Sequence, residues 1–193
     1  DRVIDRLPGF RLFDAYATRE LTIRDLLSHR SGIASGGGDL LWLRSTYTRE
    51  EIVHRIRFVK SAYSFRSRYG YQNVMFIAAG ELIEAISGKS WDGLLAERLF
   101  EPLEMRSANS TIRKREDGGN WATPHVRMKG TVQAIVPENV DNLGGAGAIN
   151  ASASDLSRWL LLQLGRGKLG ETRVYGKKHA AQMWSPHTIL PIG

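Results

Sequence analysis

The sequence predicts one mostly helical unit with little strand, and three observations carry that expectation. From Val74 to Ile86 apolar residues recur close to a 3.6 spacing, at Val74, Phe76, Ile77, Ala79, Ile83 and Ile86. Several other apolar stretches open on a serine or threonine able to cap a helix, as at Thr22, Thr48, Ser90 and Ser152. Strict alternation occurs once, at Val132, Ala134 and Val136, and predicts one short strand. No internal repeat, low-complexity segment or linker divides the chain.

Taken in order, residues 1–9 read as a short amphipathic piece, with Val3, Ile4 and Leu7 apolar and Pro8-Gly9 ending it. A chain that starts in mid-pattern suggests that something precedes it. Leu21 to His29 predicts a short helix capped by Thr22, with Ile23, Leu26 and Leu27 inward and Gly32 ending it. His29 falls in its last turn, where the helix dipole favours a histidine, and a structural role for its ring is expected. Ser35-Gly36-Gly37-Gly38 reads as a surface loop, because no Lys-Ser/Thr follows to complete a phosphate-binding loop. Thr48-Arg49-Glu50-Glu51 is a capping box opening a helix to about Phe58, with Ile52, Val53 and Ile56 inward.

The Val74–Ile86 helix runs to Ser87, and Gly88 is placed to take the left-handed cap conformation. Just before it stand Tyr71 and Asn73, a polar pair at the mouth of a buried helix. Ser90 caps Trp91 to Phe100, which carries Leu94, Leu95 and Leu99 and stops before Pro102. Glycines 118, 119 and 130 with Pro124 break up the next stretch, and Asn120 to His125 reads as a polar loop. Gly144-Gly145-Ala146-Gly147-Ala148 matches no dinucleotide fingerprint and is expected to serve close packing. Ser152 to Asp155 caps a helix with Leu156, Trp159, Leu160 and Leu164 as its stripe, ended by Gly165. A last short helix surrounds Ala180 to Trp184, before Pro186.

Composition excludes several classes of function. The 193 residues are 42% hydrophobic and 24% charged, ordinary for a globular domain with a core of its own. No apolar run is long enough to span a membrane. The sequence has no cysteine, so it holds neither a disulfide nor a thiolate nucleophile. The net charge of +7 raises the question of nucleic acid, yet the arginines are scattered. Only Arg113-Lys114-Arg115 forms a tight run, and Glu116 and Asp117 end it. A solvated surface with a mild preference for anionic substrates is the expectation, without nucleic acid as partner.

Histidines 29, 54, 125, 179 and 187 lie far apart and none belongs to an H-E-x-x-H pattern, so no metal site and no cofactor is expected. A G-x-S-x-G elbow is absent, no serine has a lysine three positions later, and there is no Lys-Thr-Gly.

Three blocks in order nevertheless resemble the serine β-lactamase and penicillin-binding-protein superfamily, in its class C-like branch. Leu21-Thr22-Ile23-Arg24-Asp25-Leu26-Leu27-Ser28-His29-Arg30-Ser31-Gly32-Ile33 is similar to the family's helix-and-turn block. Tyr71-Gln72-Asn73 follows, then Gly80 to Gly88 and Phe100-Glu101-Pro102-Leu103-Glu104-Met105. Gly145-Ala146-Gly147-Ala148 with Ser154-Asp155-Leu156 and Trp159 looks like the later glycine turn and helix.

The resemblance implies an α/β (α+β) β-lactamase/transpeptidase-like fold, of which residues 1–193 are one partial domain, mostly the helical subdomain, cut at both ends. It also implies a chemistry. A serine in Ser-x-x-Lys attacks a carbonyl to give an acyl-enzyme, which water or another acceptor releases. By motif, Tyr71 is the acid/base candidate, its phenolate stabilised by nearby lysines, and Asn73 the residue that positions substrate and lysine. The plain alternative is a buried tyrosine with a satisfied hydroxyl beside a helix-capping asparagine.

Substrates implied are esters, D-amino-acid peptides or β-lactams, in an exported or periplasmic protein. The Ser-x-x-Lys helix is expected before residue 1 and the Lys-Thr-Gly strand beyond Gly193, so residues 1–193 alone should not hydrolyse. A piece of this kind should also expose apolar surface. The second reading is a non-catalytic binding module of the same fold, which the missing nucleophile favours.

Overall fold

The computed structural model of the chain describes residues 1–114 and 119–190, so Arg115, Glu116, Asp117 and Gly118 of the basic run and its flank lie outside it, as does Gly193. Seven α-helices occur among the described residues. They are α1 (Ala15–Glu20), α2 (Ile23–Leu27), α3 (Arg49–Arg55), α4 (Asn73–Ser87), α5 (Trp91–Leu95), α6 (Ala153–Leu164) and α7 (Lys177–Met183). The strands are β1 (His125–Met128), β2 (Thr131–Ala134), β3 (Lys168–Leu169) and β4 (Thr172–Arg173). They form two antiparallel hairpins, β1 with β2 and β3 with β4.

The helix starts follow the local chemistry of the sequence. Thr22, Thr48 and Ser152 each accept from the backbone N–H three residues on, and Asp25, Glu51 and Asp155 reach back to complete the boxes. Ser90 accepts from the Gly93 N–H and starts α5. Gly88 closes α4 at φ 68°.

Helix α4 is the central element. Val74, Met75, Ile77, Ala78 and Leu82 are buried on it. All of these but Leu82 meet Leu26 of α2, Ile52, Val53 and Ile56 of the α3 region, and Val3, Phe10, Leu12, Leu21 and Ile33 in one core. The other predicted α4 positions, Phe76, Ala79 and Ile83, are half-buried and line a cavity of about 510 Å³ with Leu95, Leu99 and Trp159. A smaller core of Phe100, Leu103, Met105 and Leu162 lies beyond it.

The glycine turn packs against α4 as the sequence suggested. It forms a tight helical turn over Asp141–Ala146. A Cβ at Gly145 would stand 2.8 Å from the Phe76 carbonyl oxygen, so only glycine lets the turn approach the helix this closely. Arg49 fastens the same region. It donates to both carboxylate oxygens of Asp92, at 3.0 and 3.3 Å, and to the Asp141 carbonyl at 2.8 and 3.1 Å.

Several expectations are corrected. Helix α2 ends at Leu27 with Ser28 as its cap, and His29 follows at φ 58°, beyond the helix. Leu27 and Ile86 are exposed. On α6 the stripe holds only in part: Trp159 packs inward against the core that contains the fully buried Leu162, whereas Leu156, Leu160 and Leu164 are exposed, Leu164 at 74%. This is the exposed apolar surface that the sequence led us to expect. The Trp91–Phe100 helix becomes α5 and then a wider π-helical turn over Ala96–Phe100. His125 opens β1, so the expected loop gives way to a hairpin there, and Val136 lies past its end. Helix α1, capped by Asp14, and the β3–β4 hairpin went unforeseen. Among the described residues no helix is long and apolar enough to cross a membrane.

Candidate active site

The segment carrying Tyr71 is held by the segment that follows α2. The Gly70 N–H donates to the His29 carbonyl at 3.1 Å, and the Gly36 N–H to the Tyr71 carbonyl at 2.8 Å. The Tyr71 N–H donates to Ser35 Oγ at 3.0 Å. Gln72 is fully buried between the two segments. Its amide donates to the Ile33 carbonyl and accepts from Ser31 Oγ at 2.7 Å. Gly70 allows this pairing, because a Cβ there would collide with the Ile33 carbonyl oxygen. The polar atoms of this buried junction are therefore matched across it, which fixes where Tyr71 emerges.

His29 fastens the same junction with its ring. Its Nδ1 accepts from the Gln72 N–H at 3.1 Å. The ring packs against Tyr69, Tyr71 and Phe76, with centroids 5.4, 4.9 and 5.1 Å away. This is the structural role expected of it, reached from outside the helix. Burial holds the His29 imidazole below its usual pKa, which keeps Nδ1 free to accept. With the folded value below the unfolded one, the unfolded state binds more protons between the two. Stability should thus fall as pH drops below about 6.5, the ordinary histidine value. His29→Gln should flatten that part of a thermal-melt profile between pH 8 and 5. An unchanged slope would contradict the assignment.

Tyr71 and Asn73 are brought together. The phenol O–H donates to Asn73 Oδ1 at 3.2 Å, and Tyr71 is 46% exposed. Asn73 is the first residue of α4, and the cap position belongs to Gln72, whose side chain makes no cap bond. Of the plain alternative, the satisfied hydroxyl is found, whereas the tyrosine is exposed and the asparagine does not occupy the cap position. Asn73 Nδ2 instead donates to Asp39 Oδ1 at 3.2 Å, and Trp42 Nε1 donates to the same oxygen at 2.8 Å. A line Trp42–Asp39–Asn73–Tyr71 thus orients the amide, with its oxygen toward the phenol. Asn73 Oδ1 retains a second lone pair and Nδ2 a second proton for further partners.

Asp39 is the contact of the Tyr71–Asn73 pair that sequence reasoning missed. Its signal was the triple glycine before it: Gly36 and Gly38 take positive φ and bring Asp39 back toward α4. His54, His125, His179 and His187 do not converge on Tyr71, and among the described residues no three potential ligands gather to hold a metal ion.

The chain as a whole is similar to a recognisable set of proteins. The Beta-lactamase family profile matches residues 1–192. Unguisins hydrolase ungD' of Aspergillus campestris (strain IBT 28561) is 27% identical over 189 residues, covering 94% of this chain and 34% of that protein. Penicillin-binding protein 4 of Amycolatopsis lactamdurans is 31% identical over 189 residues, covering 94% of this chain and 48% of that protein. The octameric penicillin-binding protein homologue from Pyrococcus abyssi superposes with a TM-score of 0.81 at 20% identity, over 99% of this chain and 44% of that one. The chain therefore spans about a third to a half of the length of the proteins it matches. The Pyrococcus likeness bears on the fold, which is β-lactamase/transpeptidase-like. With the profile matching nearly every residue, the chain belongs to the Beta-lactamase family.

Proposed function

We propose that this chain supplies the Tyr-x-Asn part of a serine hydrolase that works through an acyl-enzyme. The observation that carries the reading is the hydroxyl of the exposed Tyr71, 3.2 Å from an Asn73 amide that Asp39 orients. In the proposed reaction a serine Oγ attacks the substrate carbonyl carbon, its proton passing to the Tyr71 oxygen as the Tyr71 O–H proton moves to the accompanying lysine, which later returns it along the same path. Tyr71 then passes a proton to the departing group as the tetrahedral intermediate collapses to an ester. Water attacks that ester, and the acid product leaves with the serine restored. Asn73 bonds the substrate and holds the lysine that accompanies the serine.

The serine and its lysine come from sequence other than these 193 residues, where no Ser-x-x-Lys occurs. The substrate is an acyl compound: an ester, a D-amino-acid peptide or a β-lactam. The same absence favours, as second reading, a binding module without turnover. One experiment separates the two. The complete gene product should turn over at least one of p-nitrophenyl acetate, a D-alanine p-nitroanilide and nitrocefin. Asn73→Ala should lower kcat/KM by about 10²- to 10³-fold, the range for one lost polar contact in an acyl-transfer site. Turnover unaffected by Asn73→Ala would remove Asn73 from the site, and no turnover of any substrate would favour the module.

A further inference from the structure

Beside the loop that precedes Tyr71, a cavity of about 360 Å³ opens between that loop and the turn after α7, lined by Arg30, Arg66, Arg68, Tyr69, His187 and Thr188 among others. Its charge is unbalanced. Arg66 is answered by the buried Asp25, whose carboxylate accepts from Arg66 Nε at 2.9 Å and Nη2 at 2.6 Å. Arg30 donates only to a neutral acceptor, the Arg66 carbonyl at 3.3 Å, while the Arg66 N–H donates back to the Arg30 carbonyl at 3.1 Å. This clasp holds Arg66 at φ 63°, a left-handed conformation that arginine seldom adopts. The Arg68 guanidinium lies 5.3 Å from the Tyr63 ring centroid. Neither Arg30 nor Arg68 has a carboxylate within ion-pair distance among the described residues.

Arg24 Nη1 lies 2.9 Å from His187 Nδ1, and arginine can only donate, so Nδ1 accepts. His187 Nε2 therefore carries the proton and donates to the Gln182 carbonyl at 2.7 Å. Three lining guanidinium groups against one carboxylate leave an excess of two positive charges around one small, half-enclosed space. Like charges held there repel, and an anion between them relieves that cost while meeting the fork of N–H donors that a guanidinium presents.

We propose that this cavity is an oxyanion-binding site, taking a phosphate or carboxylate group between Arg30 and Arg68. The site does not depend on the acyl-transfer reading, since it involves neither Tyr71 nor Asn73.

The test is a titration of the protein with inorganic phosphate, and separately with succinate, followed by NMR of the arginine Nε–H and histidine ring signals. The expected result is a saturable shift at Arg30, Arg68 and His187 with at least one of the two anions. Saturation with phosphate alone assigns a phosphorylated ligand, with succinate alone a carboxylate ligand, and with both a general oxyanion site. Arg30→Gln and Arg68→Gln should each weaken binding by about tenfold or more, as expected for one lost charge-assisted hydrogen bond. Arg106→Gln, away from the cavity, should leave it unchanged. Shifts that never saturate, that spread equally over all arginines, or that persist in both cavity variants would overturn the proposal.

Discussion

Tyr71→Phe, made in the complete gene product, should lower kcat by about 10²- to 10⁴-fold, the contribution of a positioned acid/base group. The geometry makes this substitution a clean one. The phenol hydroxyl forms a single bond, to Asn73 Oδ1 at 3.2 Å, and the residue is 46% exposed. Its ring, which packs on His29, is retained in phenylalanine. Stability should therefore move by no more than about 0.5 kcal/mol, as for other surface changes that bury no new group. A large loss of rate on an unaltered melting curve is the signature of proton transfer. A fall of less than threefold, with the fold intact, would mean that Tyr71 plays no part in the chemistry.

Asp25→Ala should have the largest effect on stability. The Asp25 side chain is 5% exposed and takes both guanidinium bonds from Arg66. It also accepts from the Thr22 N–H at 3.1 Å and Thr22 Oγ1 at 2.5 Å, completing the cap of α2. Removing it breaks an ion pair and a helix cap together. We expect a loss of about 3 kcal/mol, the low end for a broken buried pair, because Arg66 stays partly in water. For a domain of this size that lowers Tm by about 6–12 °C.

Burial alone would raise the Asp25 pKa, but the bonds from Arg66 and Thr22 outweigh it and hold the carboxyl below its usual value. A lowered folded pKa gives stability that is present above the unfolded value and is lost as pH falls through the folded one. The gap between the protein and Asp25→Asn should accordingly narrow as pH drops below about 4. A Tm change under 2 °C for Asp25→Ala would contradict this account of the junction. Arg66 stands five residues before Tyr71, so the same variant should also loosen the segment that carries the site.

What was legible in the sequence was what is local in space. The caps at Thr22, Thr48 and Ser152 each involve a side chain and an N–H within three residues, so the chain states them directly. The α4 repeat was readable because Val74, Ile77 and Ala78 enter the core while Phe76, Ala79 and Ile83 line the adjoining cavity. The α6 stripe misled in part: Trp159 packs inward, but Leu156, Leu160 and Leu164 are exposed, because periodicity names a face without naming what covers it. The β1–β2 hairpin was half seen. All eight of its strand residues are exposed, so no buried face imposed the alternation that would have marked His125 to Met128. Tyr71 and Asn73 were found by resemblance, whereas Asp39 contacts Asn73 across 34 residues, a distance no local pattern reports.

The measurement that tests the central claim most directly is fluorophosphonate labelling followed by intact-mass analysis and peptide mapping. It should be run on the 193-residue chain and on the complete gene product side by side. The account predicts no adduct on the 193-residue chain. On the complete product it predicts a single adduct, at the serine of a Ser-x-x-Lys segment outside residues 1–193. An adduct on any serine within these residues, or none on the complete product, would contradict it.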